Sequence, residues 1–172
     1  MLAALTLQSD AVLVRAARDG DRAAFAGLYQ RYSRMVHGIL LAYVRFGDAE
    51  DLMQETFLRA IEGLGGLRDE GAFGAWLGAI ARHLALDHCR RVRPVVELNE
   101  RNGGSVAPDQ AALVLRAIRS LPETYRETLI LRLVEGMNGP EIADHTGLQP
   151  DSVRVNLCRG MKLLRQKLGG QA

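Results

Sequence analysis

Apolar residues recur at intervals of three and four through most of this chain, the spacing that gathers them on one face of a helix. The first such segment runs from Asp10 to Arg18, with Ser9 placed to cap it and Gly20 to end it. Asp21 is placed to cap a longer second helix, from Arg22 to about Phe46, striped by Phe25, Leu28, Tyr32, Met35, Val36, Ile39 and Tyr43; Gly47 is read as its stop. A third helix follows from Ala49 to about Leu64, capped by Asp48, with Leu52, Met53, Phe57, Ala60, Ile61 and Leu64 on one side. Glycines at 63, 65, 66 and 71 then predict a loop, because such a run cannot stay helical cheaply. A fourth helix, from about Ala72 to Val92, places Phe73, Leu77, Ile80, Leu84 and His88 on its buried stripe.

The period disappears between residues 93 and 108, which hold two prolines and two glycines. That stretch reads as a flexible linker between a unit of residues 1–92 and a unit of residues 109–172. The second unit opens with a helix from Asp109 to Arg119. Pro122 is placed in the first turn of the next helix, which runs to Glu135 before Gly136. Asn138 and Glu141 have capping-box spacing for a short helix to His145, Gly147 supplies a turn, and Pro150 starts a last helix to Leu168. A short helix, a glycine turn and a longer basic helix outline a helix-turn-helix, although plain helical bundles use the same outline. The fold class is therefore all-α, two small helical domains joined by a linker.

Charge sharpens this picture where the overall balance does not. The net charge of the 172 residues is only +2, yet residues 151–172 carry five basic residues against one acidic. That concentration suits a phosphate-facing helix, and equally a solvated helix C-terminus. On the last helix Val153, Leu157, Gly160, Leu164 and Leu168 form the predicted inward face. Ser152, Val155, Arg159 and Lys162 lie opposite, flanked by Arg154 and Asn156. Arginine and asparagine are the bidentate readers of base edges, while Lys162, Arg165 and Lys167 suit phosphates. The fourth helix carries a second basic side with Arg82, His83, Arg90, Arg91 and Arg93. Trp76 borders its stripe and suits the core or base stacking equally. The third helix opens with Asp48, Glu50, Asp51 and Glu55, which complement a helix N-terminus; on physics alone that reading outweighs an acidic docking surface.

Other chemistries find little support. Cys89 and Cys158 fit no metal-ligand spacing and read as free thiols. His83 and Asp87 share a helix face with His88 nearby, but no third convincing ligand, phosphate loop or nucleophile–base motif accompanies them, so neither an enzyme nor a metal site is expected. The longest apolar run, Ile39 to Val44, is too short to span a bilayer, and the start does not resemble a signal peptide; a cytoplasmic protein without membrane insertion is expected.

Three stretches, taken in order, resemble the extracytoplasmic-function sigma factors, the group IV branch of the sigma-70 family of bacterial RNA polymerase initiation subunits. Asp48–Ala60 is similar to the family's polymerase-docking helix. Phe73–Arg91 is similar to the helix that engages the downstream (−10) promoter element. Leu121-Pro122-Glu123 with the helix-turn-helix is similar to the module that reads the upstream (−35) element. The resemblance covers about residues 10 to 168 and implies a region 2-like four-helix domain and a region 4-like domain. It implies that Asp48, Glu50, Asp51, Gln54 and Glu55 bind core RNA polymerase at the largest-subunit clamp, with the flap as a further contact. It implies that Trp76, Arg82, His83, Asp87, Arg90 and Arg91 lie along the melted strand. The loop 64–71 would help hold a flipped base, whose extrusion costs a few kcal/mol. It further implies that Ser152, Arg154, Val155, Asn156, Arg159 and Lys162 read the upstream duplex, that no cofactor is needed, and that an anti-sigma factor controls the protein in a stress response. His83 stands where the family usually has Asn, Val155 and Asn156 replace small polar and basic residues, and Gly160 stands where Ala is common. A stand-alone helix-turn-helix regulator and a pure protein-interaction bundle are the rival readings; the first needs neither the acidic helix nor the second basic one.

Overall fold

The computed structural model describes residues 8–99 and 110–169, excepting the side chains of 93–99. Eight α-helices and two 3-10 turns account for these residues, with no strand among them. They are α1 (Asp10–Arg18), α2 (Arg22–Leu41), α3 (Phe46–Gly63), α4 (Phe73–Asn99), α5 (Gln110–Arg119), α6 (Glu123–Leu133), α7 (Gly139–Thr146) and α8 (Pro150–Gly169). The 3-10 turns, Leu64–Gly66 and Glu70–Ala72, shape the glycine-rich loop.

Several predicted boundaries follow from local chemistry. The Asp21 carboxylate accepts from the N–H groups of Ala23 and Ala24 at 2.8 and 3.2 Å, satisfying two donors that α2 leaves open. Asn138 and Glu141 form the full capping box of α7, at 2.9 and 2.7 Å. Gly147 ends α7 at φ +73°, a conformation that costs other residues a Cβ clash.

The corner between α2 and α3 differs from the sequence reading. The predicted stop at Gly47 lies inside α3, because α2 already ends at Leu41 and α3 begins at Phe46. Asp48 thus sits in the first turn and Arg45 at the cap. Two carbonyls at this corner are taken by Arg119 of the second unit, whose guanidinium donates to Leu41 O at 2.9 Å and Val44 O at 2.5 Å. That distant partner makes a four-residue break affordable where the apolar period alone predicts a continuous helix. Three smaller differences are local. Ile61, read as part of a buried stripe, is 47% exposed, since α3 buries Ala49, Leu52, Thr56, Phe57 and Ala60 instead. Pro122 occupies the N-cap of α6, one position before its first turn. α4 continues to Asn99, past the predicted end at Val92, as Pro94 withholds one N–H from the ladder without ending it. The rest of the predicted linker, residues 100–108, lies outside the described residues.

The two units pack against each other, with α2 against α6 and α7, and α4 against α7. Their buried residues form one continuous cluster, from Leu13 and Tyr32 through Leu84 to Ile118, Leu131 and Leu164. Two glycines allow the approach. A Cβ on Gly38 would lie 2.6 Å from Leu131 Cδ2 and 3.0 Å from Glu135 Cγ. One on Gly74 would lie 2.3 Å from the backbone oxygen of His145.

Candidate nucleic-acid and polymerase interfaces

Three surfaces carry the residues singled out by sequence. The first is the outer face of α3. Glu50, Asp51 and Gln54 are exposed there, and Glu55 pairs with Arg59 one turn on at 2.7 Å. Asp48 reaches across to His88 Nε2 of α4 at 3.5 Å. The face continues into Leu58 and Ile61, which are 62% and 47% exposed. It is therefore acidic at its N-terminal end and apolar further on, and sequence reasoning missed the apolar half because Ile61 was read as core.

The second surface lies between α4 and the glycine-rich loop. Arg59, Gly63, Gly66, Trp76, Ala79, Ile80 and His83 line an open groove of about 540 Å³. Trp76 packs on Phe73 with ring centroids 5.8 Å apart, and it forms part of the groove wall. Gly63 brings the loop close, since a Cβ there would lie 3.3 Å from the Trp76 ring. Arg18 of α1 fixes the loop from behind, donating to Leu64 O at 3.3 Å, to Leu67 O at 2.8 Å and to Glu70 at 3.0 Å. Nothing in the helical period of α1 marks Arg18 for that task.

The six α4 residues do not share one face. His83 and Arg90 both pair with Asp87, at 3.2 and 2.5 Å, and Arg91 Nε donates to Asp87 O at 3.4 Å. Asp87 thus orders a small, exposed basic cluster. Arg82 points elsewhere. Its guanidinium makes a two-pronged contact with Glu127 of α6, at 2.6 and 2.8 Å. Burial alone would lower its pKa, but the hydrogen-bonded Glu127 carboxylate outweighs it and holds the charge more firmly than usual. The same carboxylate accepts from Tyr43 OH at 2.9 Å. His88, turned to Asp48, does not converge with His83, and among the described residues no group of three or more His, Cys, Asp or Glu could hold a metal ion.

The third surface is the N-terminal half of α8. Pro150 and Gly147 set the register, so that Val153, Gly160 and Leu164 are buried as predicted, while Leu168 at the helix end is exposed. Gly160 seats α8 closely on α6: a Cβ there would lie 3.0 Å from Leu129 Cδ1 and 3.1 Å from Tyr125 Cβ. Ser152, Arg154, Val155, Arg159 and Lys162 are exposed, and Asn156 is half-buried. Arg154 touches Asp151 at 3.3 Å, but both side chains are at least 80% exposed, so this pair holds little. A polar and basic helix face standing free beside a left-handed glycine turn is a helix-turn-helix reader in shape and chemistry.

Two all-helical units, one ending in such a reader and the other presenting an acidic helix beside a basic one, define a transcription initiation subunit of the sigma-70 type. The Sigma-70 region 2 family matches residues 28–94, and the Sigma-70, region 4 family matches residues 111–164. The chain is 36% identical to the RNA polymerase sigma factor CarQ of Myxococcus xanthus, over 88% of this chain and 93% of that protein. It is 30% identical to the ECF RNA polymerase sigma-E factor of Escherichia coli, over 93% of this chain and 94% of the relative. Among solved structures, that of CnrH in complex with the cytosolic domain of CnrY superposes with a TM-score of 0.66 and 25% identity, covering 96% of this chain and all of that one. A second, the sigma factor RpoE in complex with the anti-sigma factor NepR from Bartonella quintana, shares the fold with a TM-score of 0.53. The chain belongs to the extracytoplasmic-function sigma factors of RNA polymerase.

Proposed function

We propose that this protein brings core RNA polymerase to promoters with a −10 and a −35 element, using each of its three surfaces for one task. Residues 1–92 form the polymerase-docking and −10 domain, 93–108 the connection, and 109–172 the −35 domain. The α3 face of Asp48, Glu50, Asp51, Gln54 and Glu55 docks on the largest-subunit clamp. The groove beneath Trp76, with His83, Asp87, Arg90 and Arg91, receives the opened −10 strand, and Arg82 joins them when Glu127 releases it. Ser152, Arg154, Val155, Asn156, Arg159 and Lys162 meet the −35 duplex. The chain performs no covalent chemistry in this role, and it acts where the polymerase is, in the cytoplasm; among the described residues no helix is long and apolar enough to cross a membrane. An anti-sigma partner is part of the proposal, supported by the two solved relatives, each held by another protein.

The observation that carries this reading is the order of surfaces along one chain: an acidic helix, a basic helix beside a groove, then a helix-turn-helix with its reading face exposed. Run-off transcription with core polymerase on a promoter library tests it. Transcripts that depend on the chain and share a two-part upstream sequence are expected. Core polymerase that neither co-elutes with the chain nor starts transcripts with it, while the free chain binds duplex specifically, would instead favour the stand-alone regulator.

A further inference from the structure

An opened strand brings bases to stack and phosphates to hold, and the groove beside Trp76 offers each a different partner. Trp76, Ala79 and Ile80 give the groove an aromatic and apolar wall, which suits the face of a base. Among the described residues that line it there is no carboxylate, and Arg59 alone carries a charge at every ordinary pH. Arg82, Arg90 and Arg91 of α4 are not among them. Arg82 is forked onto both oxygens of Glu127, and Arg90 lies on Asp87 at 2.5 Å.

Arg59 comes from α3, whose other charged residues are all acidic: Asp48, Glu50, Asp51, Glu55 and Glu62. It stands where the acidic face meets the groove, one turn after Glu55 and one turn before Gly63. Gly63 in turn lies against the Trp76 ring, where a Cβ would be 3.3 Å away. The hold of Glu55 on Arg59 is loose. Nε and Nη2 both donate to the single oxygen Oε1, at 3.1 and 2.7 Å, and the two side chains are 49% and 41% exposed for Arg59 and Glu55. Exposed pairs of this kind hold little, so a phosphate entering the groove can take the guanidinium from Glu55. We propose that Arg59 grips a backbone phosphate of the opened strand at the edge of this groove, beside bases stacked on Trp76. The inference rests on the sigma-factor reading above. It gives α3 a second task, strand binding, next to polymerase docking.

The test uses the chain assembled with core polymerase and a fluorescent single-stranded oligonucleotide carrying the −10 sequence of a promoter it transcribes, titrated over a range of salt. In Arg59→Ala, affinity for the strand is expected to fall about fivefold. The slope of log affinity against log salt should become shallower by about 0.7, the value for one phosphate contact on a single strand. Strands altered at single bases should show the same loss, because phosphate contacts carry no sequence. Arg59→Lys should restore the slope, whereas Arg59→Gln, which keeps a polar stem without the charge, should match Arg59→Ala. Wild-type affinity and slope in Arg59→Ala and Arg59→Gln would overturn the proposal. So would a loss confined to one base of the strand, which would make Arg59 a base reader instead. If Arg59→Ala loses helical circular dichroism, the comparison of Arg59→Gln with Arg59→Lys decides. Should the wild-type chain fail to join core polymerase, the sigma-factor reading falls; the same titration on the free chain then judges Arg59, and a free chain that binds no strand overturns the proposal with it.

Discussion

Arg82 and His83 are neighbours in sequence and lie on different sides of α4, because consecutive helical residues point about 100° apart. A sequence list places both along one strand of nucleic acid. The structure gives one to Glu127 and the other to Asp87 and the groove. At this scale the sequence is most informative where a cap or a turn locks the register. Arg159 is such a residue: Pro150 and Gly147 determine which way α8 faces, and Arg159 stands exposed on its predicted side. If it makes a bidentate base contact, Arg159→Ala weakens initiation at promoters with the matching upstream element by about 1–3 kcal/mol. Promoters altered at that base pair should show little further loss. Unchanged run-off transcription from the cognate promoter would remove Arg159 from the reading set.

At the level of elements, amphipathic period and capping residues locate most helices to within a few residues. α7 follows the predicted pattern because its ends are written in local chemistry, the capping box and the left-handed Gly147; at α1 Ser9 holds the N-cap position without a side-chain bond. The α2–α3 corner does not, since the group that stabilises it arrives from residue 119. Likewise the floor of the glycine-rich loop depends on Arg18, some fifty residues earlier. Long-range partners leave no trace in a helical period, which explains why the exposed side of α8 was legible while the α3 boundary and Arg82's neighbour were not. The acidic face of α3 gives a prediction about an element as a whole. Asp51 is exposed and Glu55 pairs with Arg59 one turn on, an exposed pair contributing about 0.3–0.5 kcal/mol. Reversing both to Lys should therefore spare the fold and sharply weaken binding to core polymerase. Circular dichroism with a core-binding titration separates the two effects, and wild-type affinity in the double variant would return these carboxylates to a helix-end role.

For the whole molecule, the packing of the two units includes a titratable contact, His37 Nδ1 to Glu135 at 2.7 Å. The hydrogen bond His37 donates to Glu135 raises the His37 pKa above the usual value near 6.5, against the opposing effect of burial; the Glu135 and Glu50 charges add to the rise. Phe46 packs edge-on against the ring, and Arg34 meets the Glu135 carbonyl oxygen. A raised histidine pKa means that the folded form, with this contact made, binds the proton more tightly. Its stabilising effect is complete below about pH 6.5 and fades as pH rises through the elevated value. An NMR titration of the His37 ring should thus find an elevated midpoint in the intact chain that drops towards the ordinary value in Glu135→Ala. Equal midpoints in the two proteins would show that the contact does not persist in solution.

The notch at Gly38 has a consequence for reach. Elements named for positions −10 and −35 are centred about 25 base pairs apart, roughly 85 Å along straight duplex at 3.4 Å per step. A compact chain with a radius of gyration near 16 Å is only about 40 Å across. With Leu131 seated against Gly38, the arrangement spans about half that length.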